Sequence, residues 1–495
     1  MGSGYERSCK KREALRRLQT RDNMLYNKTK IICTMGPSTD SEEVLRGLIE
    51  NGMDVARLNF SHGTHESQQH TIDLVKKVRE EMGVPIAIML DTKGPEYRIR
   101  TFENGSVVIP DGAHFTFWCD ERQGSEKGVS VSYPELCREL EAGDTILVND
   151  GLVNFRVDSI EGVCINCTAV IGGKLSDRKS MSFPGKVLKQ VYLSEQDKAD
   201  LLFGIENDVD FVACSFVSNS QNIIDLRNFL EEHGGKGIQL IAKIENRSGV
   251  DNAEDILDHC EGLMVARGDL GVEIPYTELP AIQKRLIHLC QKKGAVSITA
   301  TEMLESMIEK PRPTRAEISD VANAVFDGSS CIMLSGETAA GKYPVQAVQA
   351  MALIAIDAEK HIDYEKRFAN AEFDIADLTD ALSHSAGQLA IDTKAVCIVS
   401  STMSGDTARM VSRNRCPMPI IGMTCREKTY RQLNMYWNVI PLKVRQFLDL
   451  EDLILRARGI IAEEGFAKSG DVVVLTGGIT NTEGGTKLIH ADIIP

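Results

Sequence analysis

Lys243 and Glu245 stand two residues apart at the end of a short apolar run, Gln239–Ile244, and Arg267-Gly268-Asp269 closes the next apolar run, Gly262–Ala266. A β-strand alternates its side chains, so Lys243 and Glu245 share one face while Ile244 takes the other. Two carboxylates and a lysine at neighbouring strand ends suit a hard divalent cation, because Mg2+ takes one or two carboxylates and fills its shell with water or phosphate oxygens. For Lys243 alone, a charged strand end that merely meets solvent reads equally well. For the whole set it reads poorly.

These residues need a scaffold that brings several strand ends together. From Lys28 onward the pattern is strand, turn, helix, repeated. Apolar runs fall at Lys30–Thr34, Val55–Asn59, Ile86–Asp91, Phe211–Ser215, Gln239–Ile244, Leu263–Ala266, Val296–Ala300 and Cys331–Leu334. Amphipathic stretches such as Ser41–Asn51, Gln68–Met82, Gln221–His233 and Leu279–Lys293 lie between them. Eight such units predict an α/β chain built on a parallel (β/α)8 TIM barrel, whose reactive groups gather at the C-terminal ends of the strands. Here those ends read Thr34, Arg57-x-Asn59-x-Ser61, Asp91-Thr92-Lys93, Ser215, Lys243-x-Glu245, Arg267-Gly268-Asp269, Thr301-Glu302 and Ser335-Gly336-Glu337. Nearly every strand ends polar, which is the strongest sequence argument for an active site.

Between the third and fourth runs the texture changes. Short alternating segments (Ser106–Ile109, His114–Cys119, Thr145–Val148, Val153–Val157, Val163–Ile171) broken by Gly, Asn and Asp predict an all-β domain over 95–192, inserted after the third strand and placed to act as a water-excluding lid. The barrel then comprises 27–94 and 193–361. Within it, Thr314 and Glu317 form a capping box that opens a helix; Ile318, Val321, Ala322 and Val325 are spaced to face a core, and Gly328 stops it. After residue 362 a C-terminal α/β domain follows to 495, with strand-like runs at Ala395–Ser401, Pro419–Thr424, Val439–Val444 and Asp471–Thr476. The turn Ser401-Thr402-Met403-Ser404-Gly405-Asp406-Thr407 reads either as an anion site on backbone N–H groups, for an effector, or as a plain helix N-cap.

Bulk properties narrow the function classes. The 495 residues exceed one ordinary core, so about two to four domains are expected. A net charge of −15 repels phosphate backbones and anionic lipid, which argues against nucleic acid or a membrane surface as partner. Thirteen scattered cysteines without framework spacing read as reduced thiols of a cytoplasmic chain, and Cys164-x-x-Cys167 as two ordinary thiols in an alternating strand. No apolar run approaches the ~18 residues a membrane span needs. Residues 1–26 read as a basic, solvated leading helix, with a transit peptide as second reading and the MGSG start as an expression scar.

Seven segments in order carry a family resemblance: NFSHG (Asn59–Gly63), LDTKGPE (Leu90–Glu96), KIEN (Lys243–Asn246), ARGDLG (Ala266–Gly271), EMLESM (Glu302–Met307), KPRPTRAE (Lys310–Glu317) and MLSGET (Met333–Thr338). Together they resemble the pyruvate kinases, closely over 27–361 and more loosely beyond. The resemblance implies phosphoryl transfer from phosphoenolpyruvate to ADP, giving pyruvate and ATP, with Mg2+ (or Mn2+) and K+, in a homotetramer. It implies Glu245 and Asp269 as Mg2+ ligands, and Lys243 and Arg57 as cations on the transferring phosphoryl group. Gly268 and Asp269 would receive the substrate carboxylate on their N–H groups. Thr301 would bind that carboxylate and join the relay that protonates the enolate, with Ser335 and Glu337 as weaker candidates. Asn59, Ser61, Asp91 and Thr92 match the family's K+ ligands; Glu96 fits, because relatives that dispense with K+ carry a lysine there. Thr34, Pro37, Asn59, Arg98 and Lys179 match the nucleotide site.

The chain also departs from the family pattern. Ser67 replaces an aromatic beside the nucleotide, Ser180–Gly185 replaces the usual lid return, and Glu302 replaces a glutamine. In the candidate effector loop (Ser401, Thr402, Ser404, Gly405, Thr407), Met403 and Asp406 replace basic residues, and the late loop Thr476–Thr482 is short. This favours a sugar monophosphate effector, or none, over fructose 1,6-bisphosphate. A Mg2+-dependent enolate lyase on a similar barrel and a metabolite-binding pseudoenzyme are the competing readings.

Overall fold

The computed structural model describes residues 26–186, 188–189, 191–478 and 485–495. The expected leading helix at 1–26 therefore lies outside the described residues except for Tyr26, as does most of the late loop at 479–484.

Eight parallel strands close into a barrel: β1 Lys30–Thr34, β2 Met53–Asn59, β3 Ala87–Asp91, β4 Phe211–Cys214, β5 Gln239–Ile244, β6 Gly262–Ala266, β7 Val296–Ala300 and β8 Cys331–Leu334. They run in sequence order around the ring, and β8 pairs with β1 to shut it. All residues of most of these strands are buried, since neighbours fill the lumen on one side and helices cover the other. Alternation sorts them. Ile32, Val55, Ala87, Met89, Phe211, Ala213, Ile241, Met264, Ile298 and Met333 fill the lumen. Their neighbours, such as Ile31, Ala56, Ile88, Val212, Ala242 and Leu263, pack outward under the helices.

The inward row has a consequence for chemistry. Continuing six of the eight strands by two from the last lumen residue gives Thr34, Arg57, Asp91, Ser215, Lys243 and Ser335, while β6 and β7 run on to Ala266 and Ala300 and turn polar only beyond them. The period of two that builds the core thus delivers the polar groups to the barrel mouth.

The lid inserted after β3 is a seven-stranded sheet in the order Tyr97–Arg98, Ser180–Ser182, Thr145–Val148, Val153–Glu161, Cys164–Ile171, His114–Trp118, Gly128–Ser130. Phe115, Phe117 and Phe155 lie within 5.1–5.3 Å of one another at its centre, giving it a core of its own. Cys164 and Cys167 share one strand as free thiols.

The C-terminal sheet has five strands, one more than the sequence pattern suggests: β9 Cys397–Ser401, β10 Ile420–Thr424, β11 Val439–Lys443, β12 Val472–Gly477 and β13 Leu488–Ile493. The order is β11-β10-β9-β12-β13, with β13 antiparallel. As an edge strand, β13 is half-exposed and carries His490 and Asp492, so its apolar pattern is too weak to read from sequence.

The helix Arg315–Asp327 opens on the expected Thr314–Glu317 capping box and ends at Gly328, whose φ of 100° suits glycine. One expectation fails. Ile318 is 40% exposed rather than core-facing, because Val321, Ala324 and Val325 define the buried stripe. Among the described residues, no helix is long and apolar enough to cross a membrane.

Candidate active site

Lys243 is the hub of the barrel mouth. Its Nζ lies 3.0 Å from Asp91 Oδ1 and 3.1 Å from Glu245 Oε1, and it donates to Ser215 Oγ at 2.7 Å. Arg57 takes the other side of Asp91, Nε to Oδ2 at 2.7 Å, and its Nη1 donates to Thr34 Oγ1 at 2.8 Å. Thr34 Oγ1 in turn donates to Leu334 O at 2.9 Å, closing the chain onto β8. Ser215 Oγ donates to Thr92 O at 2.6 Å. The sequence marked Ser215 as a polar strand end and gave it no role; it bridges Lys243 to β3.

Burial alone would lower the Lys243 pKa, but Asp91 and Glu245 outweigh it and hold the ammonium charged well above the ordinary lysine range. Burial would likewise raise Asp91, and Arg57 and Lys243 overcome that and keep its carboxylate ionised. Glu245 goes the other way. Burial, with Asp269 nearby, pushes it up to about 7 against the pull of Lys243 and of the Phe216 N–H, which donates to Oε2 at 2.6 Å. A buried carboxylate whose proton affinity rises beside a second carboxylate is a fit for a divalent cation. Among the described residues no group of three or more His, Cys, Asp or Glu side chains is placed to hold a metal ion, and Mg2+ commonly takes only one or two carboxylates.

Thr301 sits where β7 ends, in a backbone conformation few β-branched residues adopt. Its φ is 67° and that of Glu302 is 53°. Each such residue costs on the order of 1–3 kcal/mol. The conformation turns Thr301 Oγ1 toward the start of the helix Arg267–Glu273, where it accepts from the Gly268 N–H at 2.7 Å. The Gly268 donor expected for a substrate carboxylate is therefore engaged by Thr301 here. Asp269 lies in the first turn of that helix. Glu337 is fully buried and spends both oxygens on backbone, accepting from Leu304 N at 2.9 Å and Ser335 N at 2.7 Å. Ser335 Oγ is buried without a partner among the described residues.

The four residues matched to a K+ site gather at the ends of β2 and β3, where Asn59 and Asp91 are register partners. Asn59 Oδ1 accepts from the Ser61 N–H at 3.0 Å, and Thr92 Oγ1 from the Ser215 N–H at 3.2 Å. All four supply oxygen, as a hard monovalent ion requires. Glu96 pairs with Arg98 through Oε1, while Oε2 is buried and has no partner among the described residues.

The nucleotide candidates split into two groups. Thr34, Asn59 and the exposed Pro37, which opens a single 3-10 turn, belong to the barrel mouth. Arg98 and Lys179 belong to one edge of the lid sheet, where Arg98 pairs in register with Ser180 and its Nη1 donates to Arg178 O at 2.6 Å. Ser67 has a local explanation: its Oγ and N–H complete a capping box with Thr64 that starts the helix His65–Met82. The altered lid return, Ser182-Phe183, lines a cavity of about 390 Å³ with Glu245, Asp269 and Glu273.

In the C-terminal domain the loop from Ser401 to Thr407 is a helix start that satisfies itself. Thr402 Oγ1 accepts from the Gly405 N–H at 2.9 Å, Ser404 Oγ donates to Asp406 at 2.7 Å, and Thr407 Oγ1 pairs with Thr486 at 3.0 Å.

Comparison with known proteins gives the geometry its context. Residues 26–348 match the family model described as "Pyruvate kinase, barrel domain", and residues 380–490 match "Pyruvate kinase, alpha/beta domain". A pyruvate kinase of Clostridium perfringens is 43% identical over 472 residues, covering 94% of this chain and 100% of the relative. One from Clostridium acetobutylicum is 42% identical over 94% of this chain and 99% of its own length. The Geobacillus stearothermophilus pyruvate kinase is 42% identical over 95% of this chain and 81% of its own length. A barrel mouth wired for charge, matched along nearly its whole length by such relatives, places this chain in the pyruvate kinase family.

Proposed function

We propose that this chain transfers the phosphoryl group of phosphoenolpyruvate to ADP, giving pyruvate and ATP. An oxygen of the ADP β-phosphate attacks phosphorus as the bond to the enolate oxygen breaks, and the enolate then takes a proton at its methylene carbon. The observation that carries this reading is Lys243, a buried ammonium held charged by Asp91 and Glu245 beside the candidate metal carboxylates. Phosphoryl transfer needs positioned positive charge more than covalent help, and Lys243 with Arg57 supplies it from fixed positions.

Glu245 and Asp269 would hold the divalent ion, Mg2+ or Mn2+, whose charge screens the repulsion between two phosphate-bearing substrates. Asn59, Ser61, Asp91 and Thr92 would hold K+. Thr301, at the end of β7, would orient the substrate carboxylate and pass the proton to the enolate. The lid, through Arg98 and Lys179, would close on the nucleotide and exclude water, with Thr34, Pro37 and Asn59 as its barrel-side contacts. A homotetramer, with a sugar monophosphate effector at Ser401–Thr407 or with none, completes the proposal.

The test couples pyruvate formation from phosphoenolpyruvate and ADP to an NADH-consuming reaction, with and without Mg2+ and K+. Turnover that needs both ions supports the reading. A folded sample that binds Mg2+ and shows no turnover moves the function to a metabolite-binding pseudoenzyme, and release of a product without phosphoryl transfer moves it to an enolate lyase.

A further inference from the structure

Thr301 does not hold its left-handed backbone unaided. Arg267, the residue before Gly268, folds its buried guanidinium back onto the end of β7. Nη2 donates to Thr301 O at 2.6 Å, and Nε reaches Thr301 O at 3.2 Å and Ala300 O at 3.3 Å. The remaining nitrogen, Nη1, is tied to the Asp320 carboxylate at 2.7–2.8 Å. Asp320 belongs to the helix Arg315–Asp327, one element beyond the Thr301 loop. The two carbonyls that Arg267 grips belong to the peptide planes on either side of Thr301, so the grip holds the φ and ψ that place its Cβ. With those planes held, Oγ1 sits between the Gly268 N–H at 2.7 Å and Ala300 O at 2.6 Å. A guanidinium can do this because its planar fork serves two carbonyls and a carboxylate at once; a lysine cannot.

We infer that Arg267 and Asp320 form a positioning pair for Thr301, setting the hydroxyl for the proton-transfer half of the reaction without touching substrate. Neither residue lies among the reacting groups assigned above, and Asp320 reaches the site only through the guanidinium. The inference rests on the reading of Thr301 as part of the proton relay, and the two can fail separately.

The reverse of enolate protonation is removal of a methyl proton from pyruvate, so exchange of pyruvate methyl protons with D2O, followed by 1H NMR, reads this half alone. Three single variants are compared with wild type: Thr301→Ala, Asp320→Asn and Arg267→Lys. The double variant Thr301→Ala/Asp320→Asn completes the cycle. Asp320 lies at the outer end of the pair, so Asp320→Asn tests the idea if Arg267→Lys fails to fold. Asp320→Asn is expected to slow exchange and kcat roughly tenfold, with the KM for phosphoenolpyruvate within about twofold of wild type, since a misplaced group loses transition-state contact rather than uniform binding. Added to Thr301→Ala, it is expected to change exchange by less than about twofold, because it acts through the hydroxyl already removed. Wild-type exchange in Asp320→Asn alongside a defective Thr301→Ala overturns the positioning pair. A full, independent loss in the double variant overturns it too. Undiminished exchange in Thr301→Ala instead overturns the reading of Thr301 on which it rests.

Discussion

Lys243 and Asp91 face each other at 3.0 Å across the barrel mouth, both buried, with Asp91 only 1% exposed and shared with Arg57. Two cations on one carboxylate leave the array short of negative charge at Asp91 and rich in it at Glu245 and Asp269. The array can therefore accept an anion beside Lys243 and a divalent cation beside Glu245 together. Replacing Lys243 by Met keeps volume and removes charge. We expect kcat to fall by roughly 10²–10³-fold, the usual cost of deleting one preorganised charge-stabilising group, with turnover followed in the coupled assay. A variant that keeps turnover within tenfold would remove Lys243 from the transition state.

The pairing of Glu96 with Arg98 places a carboxylate where the chain enters the lid, with one oxygen unpartnered among the described residues. If K+ sits among Asn59, Ser61, Asp91 and Thr92, a fixed ammonium brought in from this position can replace it. Wild-type turnover is expected to rise roughly tenfold or more on adding K+, the scale of about 1.4 kcal/mol in barrier, while Glu96→Lys reduces that response to under about twofold. Titrating K+ at constant ionic strength separates the two. An unchanged K+ response in the variant would leave Glu96 as a structural partner of Arg98.

How far sequence reached depends on which physical rule was in force. The barrel strands were legible because a buried parallel strand is a short apolar run with a polar end, and period two then carries Arg57, Asp91, Ser215 and Lys243 to one mouth. Edge strand β13 was not, since half-exposed strands mix His490 and Asp492 into the pattern. Ile318 misled because an apolar residue at helical spacing can still fall outside the buried stripe. Arg267 was seen only as a charged strand end. Its grip on Thr301 O depends on a positive φ that no spacing of β-branched residues announces.

Glu317 caps its helix and also holds the loop that follows Thr301. It accepts from Thr314 N at 2.6 Å, Ser306 N at 2.7 Å and Ser306 Oγ at 2.6 Å. Burial would raise its pKa, but these donors outweigh it and hold the carboxyl below the ordinary glutamate value. A depressed folded-state pKa contributes stability that is present above the unfolded pKa and lost as pH falls through the folded one. Glu317→Gln is expected to cost about 1 kcal/mol at neutral pH, with the difference from wild type shrinking below about pH 4. Urea unfolding at several pH values gives both numbers. A gap that stays constant with pH would mean that hydrogen-bond geometry, not charge, makes the cap.

Arg431 offers a comparison of two carboxylates on one cation. Its Nε meets Asp210 Oδ1 at 2.8 Å with both side chains buried, while its Nη2 meets Asp208 Oδ2 at 2.7 Å where the Asp208 side chain is 59% exposed. Asp210 also accepts from the Ile88 N–H of β3 at 2.9 Å, so this contact ties the C-terminal domain to the strand that carries Asp91. Distance does not separate the two pairs; solvent does. Water screens Asp208 and can solvate Arg431 on that side, so Asp208→Ala is expected to cost under about 1 kcal/mol. Asp210→Ala leaves a buried guanidinium edge and a β3 N–H without their acceptor, and is expected to cost about 3–5 kcal/mol. Urea denaturation of the two variants tests the contrast directly. Equal losses would show that burial does not rank these pairs, and that the domain contact draws its stability from the apolar surface around them instead.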